Sequence, residues 1–271
     1  MLTLLLVAAV ALSSPAPPAA DGALPRSAPA VARQLQDVDA GLRTSLAAWQ
    51  GGDPELTADE PPLDVQLWAL RQQRLLIALR DDGSRARAVL ARLDGALRRA
   101  VQSTLTAMTD LKRLAPAHPP KRRWKVGAAL SAGSLLKLYR DAERRTGVGW
   151  HILAAVNLVE SHFNKLRNES IVGAQGPMQF MPSTWATYGR GDVHDPRDAI
   201  PAAARFLRAA GAPASYSRAL YRYNPSQLYV DAVLRYAHRI QRSRRAFLSY
   251  YAWQVFVREP SGRTRRLTGP H

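Results

Sequence analysis

Apolar side chains recur at three- and four-residue steps along most of this chain, the pattern of helices that bury one face. Val31, Leu35, Val38, Leu42, Leu46 and Trp49 form the first stripe, and Gly51-Gly52-Asp53-Pro54 stops it. A second helix is predicted from Pro62 to Arg80 with Leu63, Leu67, Leu70 and Ile77 on one face, up to the break at Asp81-Asp82-Gly83-Ser84. A third runs on to Leu114 through Leu90, Leu93, Leu97, Val101, Leu105, Met108 and Leu111. Three amphipathic helices with short breaks predict a small antiparallel bundle or coiled coil. None of its residues looks chemical, so its expected roles are spacing, docking or restraint of the C-terminal half.

Prolines and four basic residues mark 115–125 as a stiff linker. Helical periodicity then resumes at Leu135–Arg145 and Trp150–His162. Asp195-Pro196 opens another helix, with Asp as the cap and Pro at the first helical position, burying Ile200, Ala203 and Leu207 before Gly211. A last one runs from Pro225 to Gln241 with Leu228, Val233 and Tyr236 as core positions. No period-two strand and no internal repeat stands out. The expected fold is all-α, divided into a leader and Pro/Ala-rich segment at 1–26, helices at 27–114, a linker at 115–126, a second helical domain at 127–241 and a basic aromatic tail at 242–271.

Leu2–Leu12 is an uninterrupted run of apolar and small residues with one Thr, too short for a bilayer span of about 20 residues but suited to the core of a signal peptide. Ser14-Pro15-Ala16 and Pro18-Ala19-Ala20 offer cleavage sites, although no basic residue precedes the run. This predicts an exported protein whose mature chain lacks a transmembrane helix. Composition sharpens the picture. Among 271 residues there is no cysteine, which excludes a disulfide framework, a thiolate metal site and a cysteine nucleophile. The net charge is +17, and it is unevenly placed: residues 1–120 carry +1, residues 121–240 carry +10 and residues 241–271 carry +6. Such a balance implies an anionic partner without saying which polymer it is.

The chemistry concentrates between Trp150 and Trp185. The stretch Ser170-Ile171-Val172-Gly173-Ala174-Gln175-Gly176-Pro177-Met178-Gln179-Phe180-Met181-Pro182 combines glycines and prolines that fix a backbone shape with amide and aromatic groups. Amides suit sugar hydroxyls and aromatic faces suit sugar C–H faces. Just upstream, Glu160 ends a run, Trp150 to Val159, that is apolar nearly all round. A carboxyl at the end of a buried helix loses solvation, which raises its pKa and lets it serve as a general acid at neutral pH. A single Glu is weak evidence alone, and without the loop it would read as a helix end at the surface.

Together, Glu160-Ser161-His162-Phe163, the Ser170 to Pro182 loop and Tyr223-Asn224 resemble the lytic transglycosylase family. These are lysozyme-like enzymes, similar to goose-type lysozyme, that cleave bacterial cell-wall glycan. The resemblance covers residues 127–240 and neither the N-terminal helices nor the tail. It implies a lysozyme-like helical fold, peptidoglycan glycan strands as partner, and no cofactor or metal. It also implies that Glu160 is the sole acid and base, cutting the bond between N-acetylmuramic acid and N-acetylglucosamine and leaving a 1,6-anhydro ring. Ser170, Met178 and Gln179 match cleft-lining positions, Tyr223 matches the tyrosine that hydrogen-bonds near the catalytic Glu, and Asn224 supports it. Pro177, Phe180 and Pro225 depart from the residues common in the family, which concerns the shape of the cleft rather than its chemistry.

The alternatives differ in class. Asp192, Asp195 or Asp198 as a second carboxylate would make a hydrolysing muramidase, but Asp195-Pro196 is so good a helix start that a structural role is favoured. His162 and His194 read as surface or hydrogen-bonded histidines, and no His, Asp and Glu cluster has metal-ligand spacing. A non-catalytic envelope protein would bind glycan and recruit other cell-wall proteins through its N-terminal helices. The tail aromatics, Phe247, Tyr250, Tyr251 and Trp253 with Arg263, Arg265 and Arg266, fit either glycan or nucleic-acid contact, or packing on the catalytic domain. Export and the absence of a nucleic-acid-binding motif argue against nucleic acid. The basic half is expected to hold a secreted, cell-wall-associated enzyme against anionic wall polymers.

Overall fold

The computed structural model describes residues 16–52, 60–115 and 121–270; the leader run Leu2–Leu12 lies outside them. Four helices come first: α1 (Ala28–Gly52), α2 (Leu63–Arg80), α3 (Gly83–Leu90) and α4 (Gly95–Leu114). The α1 stripe is buried as its spacing predicts, from Val31 to Trp49. The expected third helix is two. Asp82 caps α3 by accepting from the Arg85 amide at 3.0 Å, and the chain turns at 91–94 before Gly95 starts α4. Leu93 lies inside that turn with only 3 % of its surface exposed, so an apolar residue in phase with the stripe serves the turn instead of a helix.

The α2 face also differs from expectation. Leu63 is exposed, whereas Val65, Trp68, Ala69, Leu70, Leu75, Leu76 and Leu79 are buried, with Arg71 and Gln73 among them. The reason is packing on two sides. Toward α1, the approach is so close that a Cβ on Gly41 would stand 2.3 Å from the Trp68 ring. Toward the C-terminal segment, Gln73 exchanges hydrogen bonds with the Gln254 backbone at 2.8 and 2.9 Å, and Gln72 accepts from Ser249 and Trp253 at 3.1 Å each. A helix covered on opposite sides loses the single stripe that periodicity detects.

After the linker come α5 (Ala132–Thr146), α6 (Trp150–Ser161), α7 (Pro182–Tyr188), α8 (Pro196–Ala209), α9 (Tyr216–Tyr223), α10 (Gln227–Arg242) and α11 (Arg244–Ala252). The α8 start is as predicted: Asp195 accepts from the Arg197 amide at 2.8 Å, with Pro196 at the first helical position. One strand pair departs from the all-α expectation in detail. β1 (Phe256–Arg258) and β2 (Thr264–Arg266) form an antiparallel hairpin that pairs Phe256 with Arg266 and Arg258 with Thr264. Each strand has three residues, too short to show alternation in sequence.

The helices form one buried apolar cluster that runs from Val31 to Trp253. Central to it, α6 is flanked by α5, α8 and α10, and α4 packs along α10. The tail aromatics belong to this core. Phe247, Tyr250, Tyr251 and Trp253 each keep 3 % or less of their surface exposed, and Phe247 meets Phe163 edge to face at 5.8 Å. Their rings are therefore spent on packing rather than on contact with a glycan or nucleic acid, whereas Arg263 and Arg265 of the same tail stay exposed.

Candidate active site

From Ile152 to Leu158, α6 is buried on every side, and its last turn carries Glu160 to the edge of a cavity of 630 Å³. Only part of the Glu160 side chain meets the cavity, and the rest is enclosed by protein. Burial pushes its carboxyl up from 4.5 to about 7, while a hydrogen bond from the Tyr229 hydroxyl at 2.6 Å works in the opposite direction. Tyr229 is itself buried, which raises its phenol well above the usual range and keeps it a donor. The result is an acid that is protonated about half the time at neutral pH and has a fixed hydrogen bond ready for its anion.

The helix end is pinned from behind. Asn157, fully buried, accepts from Tyr139 at 2.6 Å and donates to Ser161 at 3.2 Å and to the Pro177 carbonyl at 2.9 Å. Ser161 donates to the same carbonyl at 2.7 Å. The chain then turns sharply, with His162, Phe163 and Asn164 all in the left-handed region at φ 51°, 61° and 68°. Three such non-glycine residues in a row are costly and persist only where surrounding contacts enforce them. Here Phe163 is buried against Phe247, and the Asn164 amide donates to Ser161 at 2.8 Å. Lys165, also enclosed, donates to the Tyr251 and Trp253 carbonyls, and burial lowers its pKa to about 7.

The Gly-rich loop is a second brace. Ser170 Oγ accepts from the Val172 and Ala174 amides at 3.2 and 2.9 Å, which leaves its hydroxyl proton free to donate. Gln175 and Phe180 bridge the loop through reciprocal backbone bonds of 2.9 and 2.8 Å. Gly176, at φ 74°, admits no side chain, because a Cβ there would lie 1.9 Å from the Val193 carbonyl oxygen. This contact locks the loop to the segment that leads into α8.

Of the residues singled out in sequence, Glu160, Ser170 and Asn224 line one cavity. Met178, Gln179 and Tyr223 are not among its lining residues, although Tyr223 stands near Glu160, whose charge adds to burial in raising the phenol. The Met178 side chain is fully buried, and its carbonyl accepts from Tyr223 at 2.6 Å. Gln179, in the left-handed region at φ 49°, folds its amide back onto the Gly176 carbonyl at 2.9 Å. The Tyr223 hydroxyl is thus engaged with the loop, and its ring lies parallel to Tyr229 at 6.5 Å. Tyr229, which holds Glu160, was not singled out by the sequence. It shares a buried stripe with Val233 and Tyr236, one residue away from the expected Leu228, so its signal was that of a core residue.

The three aspartates have structural work elsewhere. Asp195 caps α8, Asp198 accepts from the Asp192 amide at 2.9 Å, and Asp192 accepts from His194 at 2.8 Å. None lines the Glu160 cavity. Its far wall comes from α2, α4 and the hairpin, through Ile77, Arg80, Asp81, Met108, Lys112 and Arg258. Asp81, the other carboxylate there, accepts from Arg80 at 2.9 Å and from Lys112 at 2.7 Å. Burial pushes the Asp81 carboxyl up, but those two cations outweigh it and hold it below its ordinary value.

Residues 137–243 match the family model of the transglycosylase SLT domain. The chain carries a transglycosylase SLT domain. No match to it was found among curated proteins or solved structures. The SLT domain contains Glu160, Tyr229, Ser170, Asn224 and most of the bracing network, with Phe247, Tyr251 and Trp253 beyond its end, and its helical architecture is lysozyme-like. An SLT domain supports lytic transglycosylase activity on peptidoglycan in general. Among the described residues, no helix is long and apolar enough to cross a membrane. The far wall of the cavity, Arg80, Asp81, Lys112 and Arg258 included, lies outside the matched residues.

Proposed function

We propose that this protein is an exported lytic transglycosylase that cuts the β-1,4 bond from N-acetylmuramic acid to N-acetylglucosamine and closes a 1,6-anhydro ring on the muramic product, in remodelling of the wall. The observation that carries this reading is a single half-buried carboxyl, poised at about 7, hydrogen-bonded to Tyr229. Glu160 gives its proton to the bridging oxygen as the C1–O bond breaks, which frees the 4-hydroxyl of the leaving sugar. Tyr229 then stabilises the Glu160 carboxylate. That carboxylate takes the proton of the muramic C6 hydroxyl as O6 bonds to C1, so the acid is restored and no water is consumed. An internal nucleophile needs no second carboxylate to activate water, in contrast to the paired acids of most glycosidases. Ser170 and Asn224 contact the sugars, while Met178, Gln179 and Tyr223 hold the loop that presents Ser170. The basic C-terminal half keeps the enzyme on the anionic wall, and the N-terminal helices offer a surface for other wall proteins.

Digestion of purified peptidoglycan followed by mass spectrometry of the muropeptides tests the reading. Anhydro products, one water lighter than reducing ends, are expected, and Glu160→Gln is expected to cut their release by about a thousandfold. A second reading, a hydrolysing muramidase, is favoured by the presence of Asp81 on the same cavity and predicts reducing ends instead.

A further inference from the structure

The wall facing Glu160 has a chemistry that a bare glycan does not use. Three cations, Arg80, Lys112 and Arg258, meet the cavity there, against one ionised carboxylate, Asp81. Asp81 already holds Arg80 and Lys112. On the hairpin, Arg265 pairs with Glu259 at 2.7 Å and Arg266 with Asp21 at 3.2 Å. Arg258 is half-buried beside the cavity and has no ion pair among the described residues. A partly desolvated guanidinium left without a counterion is a ready receptor for an incoming carboxylate, which it can grip with two parallel hydrogen bonds. Met108, Leu111 and Phe256 line the same cavity and add apolar surface for short aliphatic groups.

N-acetylated sugars carry no charge, so a glycan strand offers this wall nothing ionic except what hangs from its muramic residues. Those substituents end in carboxylates: the stem peptide has its own, and a muramic residue stripped of peptide has the one on its lactyl group. We propose that Arg258, on the hairpin, and the adjoining α4 wall form a subsite for the carboxylate-bearing substituent of muramic acid, so that elements outside the SLT domain select which strands are cut. This rests on the transglycosylase reading of Glu160 for its substrate, and on the charge and shape of the far wall for its site.

The test uses the full chain, with soluble peptidoglycan strands that carry stem peptides and the same strands stripped by an amidase. Arg258→Gln is expected to lower kcat/KM by about three- to tenfold on one form of the strand and distinctly less on the other, chiefly through KM. A loss confined to peptide-bearing strands assigns the subsite to stem-peptide carboxylates, and a loss confined to stripped strands assigns it to the lactyl carboxylate. Arg263→Gln, exposed on the same hairpin and off the cavity, is the control for general charge. Equal losses in Arg258→Gln on both forms, or losses matched by the control, overturn the proposal. Binding of each strand to full-length Glu160→Gln, with and without Arg258→Gln, supplies a readout independent of turnover. If Glu160 is not the acid, the product assay fails while the binding difference remains; if the subsite is wrong, the binding difference vanishes while the product assay holds.

Discussion

The two walls of the cavity are built on different principles. On the Glu160 side, nearly every polar group is tied to another: Asn157 and Ser161 to Pro177, Ser170 to its own loop, Tyr223 to Met178 and Tyr229 to Glu160. Most of these bonds hold backbone in place, and few of the groups reach the cavity. On the opposite side, apolar residues of α2 and α4 pack with a handful of cations around Asp81, and the hairpin adds Arg258. The first wall has the rigidity that proton transfer requires, because a general acid must be placed within a few tenths of an ångström. The second has charge and shape, which govern what stays bound. The comparison therefore predicts that changes on the first wall lower kcat or fold stability, whereas changes on the second act through KM and choice of strand.

The largest effect should come from the acid itself. Glu160→Gln is expected to reduce anhydro-muropeptide release by about a thousandfold, in the range that general acid catalysis contributes. The same substitution should act in the opposite direction on stability. The folded-state pKa of Glu160 is raised from 4.5 to about 7, so its contribution is fully present below 4.5 and is lost as pH climbs through 7. Glutamine has no charge to bury, so at about pH 8 the variant should be the more stable by up to about 3 kcal/mol, and the margin should close on acidification to about pH 4. Thermal melts at the two pH values check this. An unchanged margin would show that the carboxyl is solvated and the first wall is not what sets its pKa. For the same reason, wild-type kcat/KM should fall on the alkaline side with an apparent pKa near 7.

Next come the braces. Gly176→Ala forces a methyl into the Val193 carbonyl at a positive φ, and should cost about 3 kcal/mol, lowering Tm by about 10 °C. Calorimetry decides it; a wild-type Tm would mean that the loop can move away from Val193. Tyr229→Phe removes one charge-assisted hydrogen bond to the Glu160 anion. It should reduce kcat by about tenfold, leave KM close to wild type, and shift the alkaline limb upward, since the lost bond favoured the ionised form. A downward shift of that limb would contradict the role given to Tyr229.

How much of this was legible in the sequence divides along the same line. The motif residues Glu160, Ser170, Gly176 and Asn224 were visible because their chemistry and spacing are constrained together. Met178, Gln179 and Tyr223 were visible too, but as members of the motif; only the fold shows that they brace the loop from behind. Tyr229 was hidden because a buried tyrosine on a helical stripe has the same periodicity whether or not its hydroxyl meets an acid. The far wall was hidden more deeply. Arg80, Lys112 and Arg258 are far apart in the chain, and each reads as an ordinary surface cation until α4 packs on α10 and the hairpin folds over. Likewise α2, covered on two sides, carries no single stripe, and the break after α3 leaves no mark in the periodicity because Leu93 keeps phase through a turn.

The smallest effect is the most informative about mechanism. Asp81 is the one other carboxylate that lines the Glu160 cavity among the described residues; Arg80 donates to both of its oxygens and Lys112 to one of them. If the muramic C6 hydroxyl is the nucleophile, no base beyond Glu160 is needed, and Asp81→Asn should change kcat by no more than about twofold while losing about 0.5 kcal/mol of stability, as expected for a partly exposed ion pair. Its pKa is held below the ordinary value, so that contribution is present above the unfolded pKa and is lost as pH falls through the folded one. The melting difference between variant and wild type should accordingly shrink in acid. Removing one negative charge also leaves the far wall more basic, so KM for anionic strands should fall slightly, most clearly at low salt. If Asp81 instead activates water, the same variant should lose about a hundredfold or more in kcat, and the wild-type products should carry reducing ends. A single substitution thus separates a wall that only holds the substrate from one that takes part in the reaction.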